Sequence, residues 1–362
     1  MENRNIIKIH EKLDAEFLPL CLNENYGADE LNDWMRKRLI PEKREGIRQA
    51  RLDFPGFEQN RNMFSLSDQY WFQYTRNEKW ENLNFFTNIY TKEVGKIFFE
   101  PWAVDRKKLK YASPDLTTNG VLKKRWVQDE NTKKSYLIKA GSTLYHQEPM
   151  SEVMASHVLH KLDIIPFVEY MLVVSGQRFC SKCENFVDEH TEFVPAIYIY
   201  HKEEKPLDVT PYVHLIRQCD KYGIEGAQEY LSSMIAADEI LCNPDRHLGN
   251  FGFLRDVETG KIRGFAPLFD SGSAFWGKRN DAQTKANPLF QGHEKEALRH
   301  VAKTHDLSDI YTDEVLTRMI NTYPEIDEKK RVLIKEKIEE AKGKVERAIT
   351  HSEKRQTHTV TR

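Results

Sequence analysis

Asn243-Pro244-Asp245-Arg246-His247-Leu248-Gly249-Asn250-Phe251-Gly252 is the stretch on which the reading of this 362-residue chain turns. It follows an apolar run at helical spacing, and its proline and glycines break that pattern, so it reads as a loop. The loop carries D-x-x-x-x-N, and a second aspartate follows in Pro267-Leu268-Phe269-Asp270-Ser271-Gly272. Moving a phosphoryl group from ATP to a hydroxyl needs one carboxylate to take the hydroxyl proton, and an amide oxygen and a second carboxylate to hold Mg²⁺. A hard cation takes such oxygen ligands alongside water and phosphate, so one Asp and one Asn suffice and no dedicated cage is required. By itself D-x-x-x-x-N is expected about once by chance in a chain of this length. Asp245 and Asn250 could then merely cap a turn. Order and context decide.

Upstream, Tyr136-Leu137-Ile138-Lys139-Ala140 ends an apolar strand on a lysine, and Glu148 and Glu152 lie on or beside the helix that follows. A strand lysine held by a helix glutamate, its ammonium on nucleotide phosphates, is the arrangement of kinase N-lobes. The surrounding pattern predicts a β-ribbon of strands 121–128 and 135–140 turning at Asp129-Glu130-Asn131-Thr132. A helix entered at Pro149 follows, with Val153, Met154, Val158, Leu159 and Leu162 on one face. Strands are then expected at 167–175, 178–187 and 193–200, the first two joined across Gly176-Gln177. Residues 226–242 read as an apolar-faced helix, and Ile334, Ile338, Ala341, Val345 and Ala348 mark an amphipathic one near the end. The first hundred residues mix charge with aromatics such as Trp34, Trp71, Phe85 and Trp102 and suggest a mainly helical module.

Asp245-Arg246-His247 with Asn250, Pro267-Leu268-Phe269-Asp270 and Ile138-Lys139 resemble the HipA-like serine/threonine kinases, whose core is shared with protein and phosphoinositide kinases. Residues 113–120, Ser-Pro-Asp-Leu-Thr-Thr-Asn-Gly, followed by Lys124 and Trp126, look like the phosphate-covering loop of that family's compact branch. The resemblance covers about Ser113 to the C-terminal helices and implies an α+β, bilobal protein-kinase-like fold, a β-rich nucleotide-binding lobe 106–205 and a helical catalytic lobe 206–350; the residues themselves add a mainly helical N-terminal module 1–105, which matches nothing in the longer HipA toxins, and a flexible polar tail 351–362. It implies ATP and Mg²⁺ as cofactors, with Asp245 the base or hydroxyl-orienting residue, Asn250 and Asp270 the metal ligands, and Lys139 on the α- and β-phosphates. Glu152 is preferred over Glu148 as the partner of Lys139. Ser113, Thr117, Thr118, Asn119 and Gly120 would cover the phosphates, and Glu184 and Phe186 in Cys183-Glu184-Asn185-Phe186 would form the adenine-binding hinge. His247 belongs to the nucleotide-site loop as an orienting residue without a proton-transfer role. The family's habits further imply autophosphorylation at Ser113, Thr117 or Thr118, a protein substrate with a Ser or Thr acceptor, a toxin or effector role, and an antitoxin or other regulatory partner. The chain departs from the wider kinase pattern in having one glycine in residues 113–120 and the order Asp-Arg-His rather than His-Arg-Asp.

Charge and composition narrow the alternatives. Lys and Arg total 54 against 56 Asp and Glu, a net charge of −2, so no bulk field attracts nucleic acid or membrane. With 40% hydrophobic and 30% charged residues the chain can fold around sizeable cores. The five cysteines, Cys21, Cys180, Cys183, Cys219 and Cys242, do not form a secreted disulfide framework, and Cys180-x-x-Cys183 alone lacks the four spaced ligands of a zinc site. Residues 1–12 are charged rather than apolar, and 164–174 is too short and too interrupted to span a bilayer, which together suggest a cytoplasmic or delivered protein without a secretory signal. Two rival readings share the motifs: a small-molecule or phosphoinositide kinase, and a nucleotide-binding pseudokinase. The intact Lys139, Asp245, Asn250 and Asp270 argue against the second.

Overall fold

The computed structural model describes residues 17–359 apart from 23–24, 59–61, 110–111, 276–285, 308–309 and 312–313, with side chains to residue 350. The charged segment 1–12 and the end of the expected tail, 360–362, lie outside the described residues. In chain order the elements are α1 (Ala28–Arg38), α2 (Ile47–Asp53), α3 (Trp80–Leu83), α4 (Glu93–Phe99), β1 (Lys124–Gln128), β2 (Ser135–Ala140), α5 (Glu148–Leu162), β3 (Tyr170–Ser175) and β4 (Arg178–Glu184). They continue as β5 (Thr191–Pro195), α6 (Ala196–Tyr200), α7 (Pro211–Lys221), α8 (Ala227–Ile240), β6 (Gly252–Asp256), β7 (Ile262–Phe265), α9 (Glu294–Ala302), α10 (Glu314–Thr322) and α11 (Glu328–Thr359). The architecture is mixed α/β, and the chain divides into two compact units.

The first unit comprises Met1–Ser135, Val187–Val194 and Leu254–Arg263. Its helices are short and the long stretches between them are irregular, so the described part of the first hundred residues is less helical than the sequence suggests. Aromatic clusters hold these stretches together. Phe64, Leu66, Phe85 and Tyr90 are buried with Trp71, Trp80, Phe86 and Trp126 against them, and Phe64 stacks on Trp71 with ring centroids 5.2 Å apart. Leu18, Leu22 and Tyr26 pack with Leu31 and Trp34 in a second cluster. These rings are core, not a surface on which bases could stack. The two later segments join through polar contacts: buried Arg255 ion-pairs with Glu192 and donates to the Leu18 carbonyl at 3.0 Å, while the Phe193 N–H donates to the Ser67 carbonyl at 2.9 Å. Such pairings across the chain carry no local sequence signal. The turn after β1 forms where expected, Asp129 accepting the N–H groups of Asn131 and Thr132 at 2.9 Å.

Asp115 is the unit's most buried carboxylate, accepting the Ser113 hydroxyl at 2.9 Å and the Trp126 N–H at 2.8 Å. Burial pushes it up to about 6, against the pull of those two donors and of Arg44 and Arg125. Because its pKa is raised on folding, its favourable contribution is complete at low pH and is lost as pH climbs from the ordinary carboxylate range through about 6. Relative to Asp115→Asn, the wild type should therefore lose up to about 3 kcal/mol of stability between about pH 4 and pH 6.5. Urea titrations of both proteins across that range check this; parallel pH profiles would refute it.

The second unit comprises Tyr136–Phe186, Pro195–Phe253 and Gly264–Arg362. In it β4 pairs antiparallel with both β2 and β3, with Lys139 opposite Ser181 and Tyr170 opposite Cys183. Helix α5 packs on this sheet, burying Met150, Met154, Val158, Leu159 and Leu162, and ends at Asp163 in the left-handed conformation (φ 48°). The helical part is built on α8, whose Leu231, Met234, Ile235, Ala236, Ala237 and Ile240 are fully enclosed by α7, α9 and α11. All five regularly spaced apolar residues from Ile334 to Ala348 are buried on α11, which continues to Thr359. Among the described residues no helix is long and apolar enough to cross a membrane.

The strand expected over 193–200 ends at Pro195, and Ala196–Tyr200 is helix α6. Isoleucine and tyrosine favour strands, but tertiary hydrogen bonds override that preference. The first amides of α6, which no helix can pair internally, donate from Ala196 to the Phe251 carbonyl and from Ile197 to the Leu248 carbonyl, both at 3.0 Å. The helix start thus grips the loop that carries D-x-x-x-x-N.

Candidate active site

Strand β2 presents Lys139 and α5 presents Glu152, both buried. Lys139 Nζ ion-pairs with Glu152 Oε1 and donates to Asp270 Oδ1 at 2.8 Å. The second oxygen of Glu152 accepts the hydroxyl of Ser181, the residue opposite Lys139 on β4. Glu148 does not reach the lysine; its Oε2 accepts the Ser142 N–H at 3.1 Å. Burial would pull the Lys139 ammonium down, but Asp270 and Glu152 outweigh it and hold the group well above the usual lysine value. It is a fixed cation at the mouth of a carboxylate pair.

The loop from Asn243 to Asn250 is organised around Asp238, near the end of α8. Arg246 and Asp238 are both 0% exposed and ion-paired, with Arg246 Nη2 at 3.0 Å from Asp238 Oδ1. Asn243 and Asn287 donate their side-chain amides to the two oxygens of Asp238, each at 2.9 Å. Arg246 Nη1 then reaches the carbonyls of Asn250 at 2.7 Å and Phe269 at 2.8 Å. One guanidinium therefore binds the D-x-x-x-x-N loop to the segment bearing Asp270. Within the loop, Asn250 Nδ2 donates to the Asp245 carbonyl at 2.9 Å, which leaves Oδ1 as the atom of this side chain able to hold a cation, and the Asp245 N–H donates to Asn243 Oδ1 at 3.2 Å.

Asp270 is left-handed at φ 59°, its side chain 41% exposed, and its N–H donates to the Tyr170 hydroxyl at 3.2 Å. Gly272 lets the chain pass α5, since a Cβ there would sit 3.3 Å from Cβ of Glu148. The donors fit a magnesium ion delivered with nucleotide: the Asp270 carboxylate and the Asn250 amide oxygen are both hard oxygen ligands. Among the described residues no group of three His, Cys, Asp or Glu side chains gathers into a cage.

The other predicted residues fall in separate places. Phe186 lies against Phe269, ring centroids 5.5 Å apart, beside the cluster of Val168, Tyr170 and Cys183. Glu184 is exposed at the end of β4. His247 is exposed, its Nδ1 accepting the Gly249 N–H at 3.1 Å, an orienting contact inside the loop. Residues 113–120 belong to the first unit and form a closed turn. There Ser113 donates to Asp115, Thr117 donates to the Phe64 carbonyl at 2.7 Å, and the Thr118 hydroxyl accepts from the Trp126 indole at 2.8 Å. Arg44 donates to the Gly120 carbonyl at 2.6 Å, and only Asn119 of the predicted set is exposed. Residues 113–120, which resemble a phosphate-covering loop, form a packed turn in this conformation, because a buried aspartate and arginine draw its hydroxyls and carbonyls inward. Cys180 and Cys183 are buried in β4, an odd number of positions apart and so on opposite faces.

The sequence reading assigned no part to Asp238, Asn243, Ser181 or Tyr170. An aspartate among Ile235, Ala236, Ala237 and Ile240 on a buried helix was the available signal, since a charge there needs a partner. Ser181 and Tyr170 owe their places to strand register, which no local spacing reveals.

No family model matches the chain. Among curated proteins it is similar to the serine/threonine-protein kinase CtkA of Helicobacter pylori, 26% identical over 137 residues, which are 36% of this chain and 42% of that protein. The match thus spans less than half of the relative's length. Among solved structures it is similar to a Helicobacter pylori proinflammatory kinase CtkA, with TM-score 0.49 and 20% identity over 64% of this chain and 95% of that one. A second is HipA of Shewanella oneidensis, in a complex with HipB and operator DNA, with TM-score 0.43 and 13% identity over 64% of this chain and 65% of that one. The curated relative is thus a serine/threonine-protein kinase, the class of protein that residues 139, 245, 250 and 270 resemble.

Proposed function

We propose that the chain is an ATP- and Mg²⁺-dependent serine/threonine protein kinase of the HipA-like type. The observation that carries this reading is the Lys139 ammonium fixed between Glu152 and Asp270, with Arg246 binding the Asn250 loop to the same segment. Lys139 would lie against the α- and β-phosphates, held there by Glu152. Asn250 and Asp270 would hold Mg²⁺, which when bound neutralises charge on the phosphates. Asp245, placed by Asn243 and Asn250, orients the acceptor hydroxyl and takes its proton. A protein acceptor is favoured over a small molecule by the similarity to a serine/threonine-protein kinase, and an antitoxin or regulatory partner is proposed on the resemblance alone.

The test is incubation of purified protein with Mg²⁺ and γ-labelled ATP, with phosphosites mapped by mass spectrometry. Label on serine or threonine is expected. Label confined to an added small acceptor, or none at all, would overturn the protein-kinase reading. Autophosphorylation within residues 113–120 is part of the proposal and carries a structural consequence. Ser113 is fully enclosed beside Asp115, and a phosphate adds about −2 charge. Protein modified there is expected to expose the segment, read as protease cleavage near residue 115 that unmodified protein resists; equal resistance would count against it.

A further inference from the structure

We infer that Tyr170 is a positioning residue for this site, its hydroxyl selecting the backbone conformation in which Asp270 faces Lys139. The inference rests on the kinase reading above. A non-glycine residue in the left-handed region is disfavoured by about 1–2 kcal/mol, so the φ of 59° at Asp270 must be held by its surroundings. The peptide joining Phe269 to Asp270 is gripped at both ends: its carbonyl accepts Arg246 Nη1 at 2.8 Å, and its N–H donates to the Tyr170 hydroxyl at 3.2 Å. Rotating that peptide would break both bonds and swing the Asp270 carboxylate away from Lys139.

Tyr170 is itself held by its neighbours. It is buried, paired with Cys183 across β3 and β4, and its N–H donates at 2.9 Å to Ser156 Oγ, one helical turn beyond Glu152. Its ring centroid is 5.6 Å from Lys139 Nζ. One side chain thus connects the strand, the glutamate helix and the metal-binding aspartate.

Tyr170→Phe keeps the ring and removes the acceptor. In calorimetric titration of ATP at stepped Mg²⁺ concentrations, the variant's Mg²⁺ midpoint is expected to rise about tenfold, the worth of one such bond. Its ATP binding in EDTA, resting on Lys139, should match wild type. A purely structural role would lower the urea midpoint and leave the Mg²⁺ midpoint in place, and that result overturns the inference while sparing the kinase reading. Wild type without Mg²⁺-dependent ATP binding overturns both. Should Tyr170→Phe not fold, 3-fluorotyrosine at position 170 retains the ring and weakens the oxygen as acceptor. A rise of about twofold is then expected, and an unchanged midpoint overturns the inference.

Discussion

Asp238→Ala is expected to cost about 3–5 kcal/mol of stability, the range for removing one member of a buried ion pair. Arg246 would keep a full charge in a site where neither it nor Asp238 has any exposure, and Asn243 and Asn287 would both lose their acceptor. The loss should be cooperative with function, because the same guanidinium holds the Asn250 and Phe269 carbonyls. Pairing Asp238→Leu with Arg246→Met removes both charges and should cost less than the two single changes added together. Urea midpoints of the three variants decide this; a single-variant loss under about 1 kcal/mol would mean the pair is not the loop's anchor.

Asp270→Asn should lower phosphoryl transfer by about 10²–10³-fold, the usual effect of deleting one charge-stabilising group, while leaving the fold intact. Asparagine tolerates the left-handed backbone that residue 270 adopts, and the side chain is substantially exposed. Lys139 keeps Glu152 as its ion-pair partner. The variant's unfolding free energy from urea titration is therefore expected within about 1 kcal/mol of wild type. Initial rates of label transfer at saturating Mg²⁺ provide the comparison, and a fall of less than about threefold would show that Asp270 is not part of the machinery.

Much of the second unit was legible in the sequence because its signals are local. Apolar spacing marked α5, α8 and α11; Gly176-Gln177 marked the hairpin turn between β3 and β4; and strand, helix and order narrowed the partner of Lys139 to Glu148 or Glu152, of which the structure pairs it with Glu152. What escaped was set by distant contacts. Helix α6 forms where an apolar run suggested strand, because its first amides find the carbonyls of residues 248 and 251. Residues 113–120 carry no local sign of their packing by Asp115, Arg44 and Phe64, the last two of which lie far upstream. The N-terminal aromatics had no period to read, since they pack loops rather than one face of a helix. Arg246 sat in plain view in the deciding stretch, but its carbonyl partners at 250 and 269 are visible only in three dimensions.

The most direct test of the account separates binding from chemistry in one pair of variants. Mg²⁺-dependent ATP binding and label transfer would be measured side by side for wild type, Asp245→Ala and Asp270→Ala. Asp245→Ala is expected to bind nucleotide as wild type does and to transfer label about 10²–10⁴-fold more slowly, as befits a residue acting only on the acceptor hydroxyl. Asp270→Ala should lose the Mg²⁺-dependent part of binding as well. Transfer by Asp245→Ala at the wild-type rate, or a wild type that neither binds nor transfers, would contradict the assignment of this site to phosphoryl transfer.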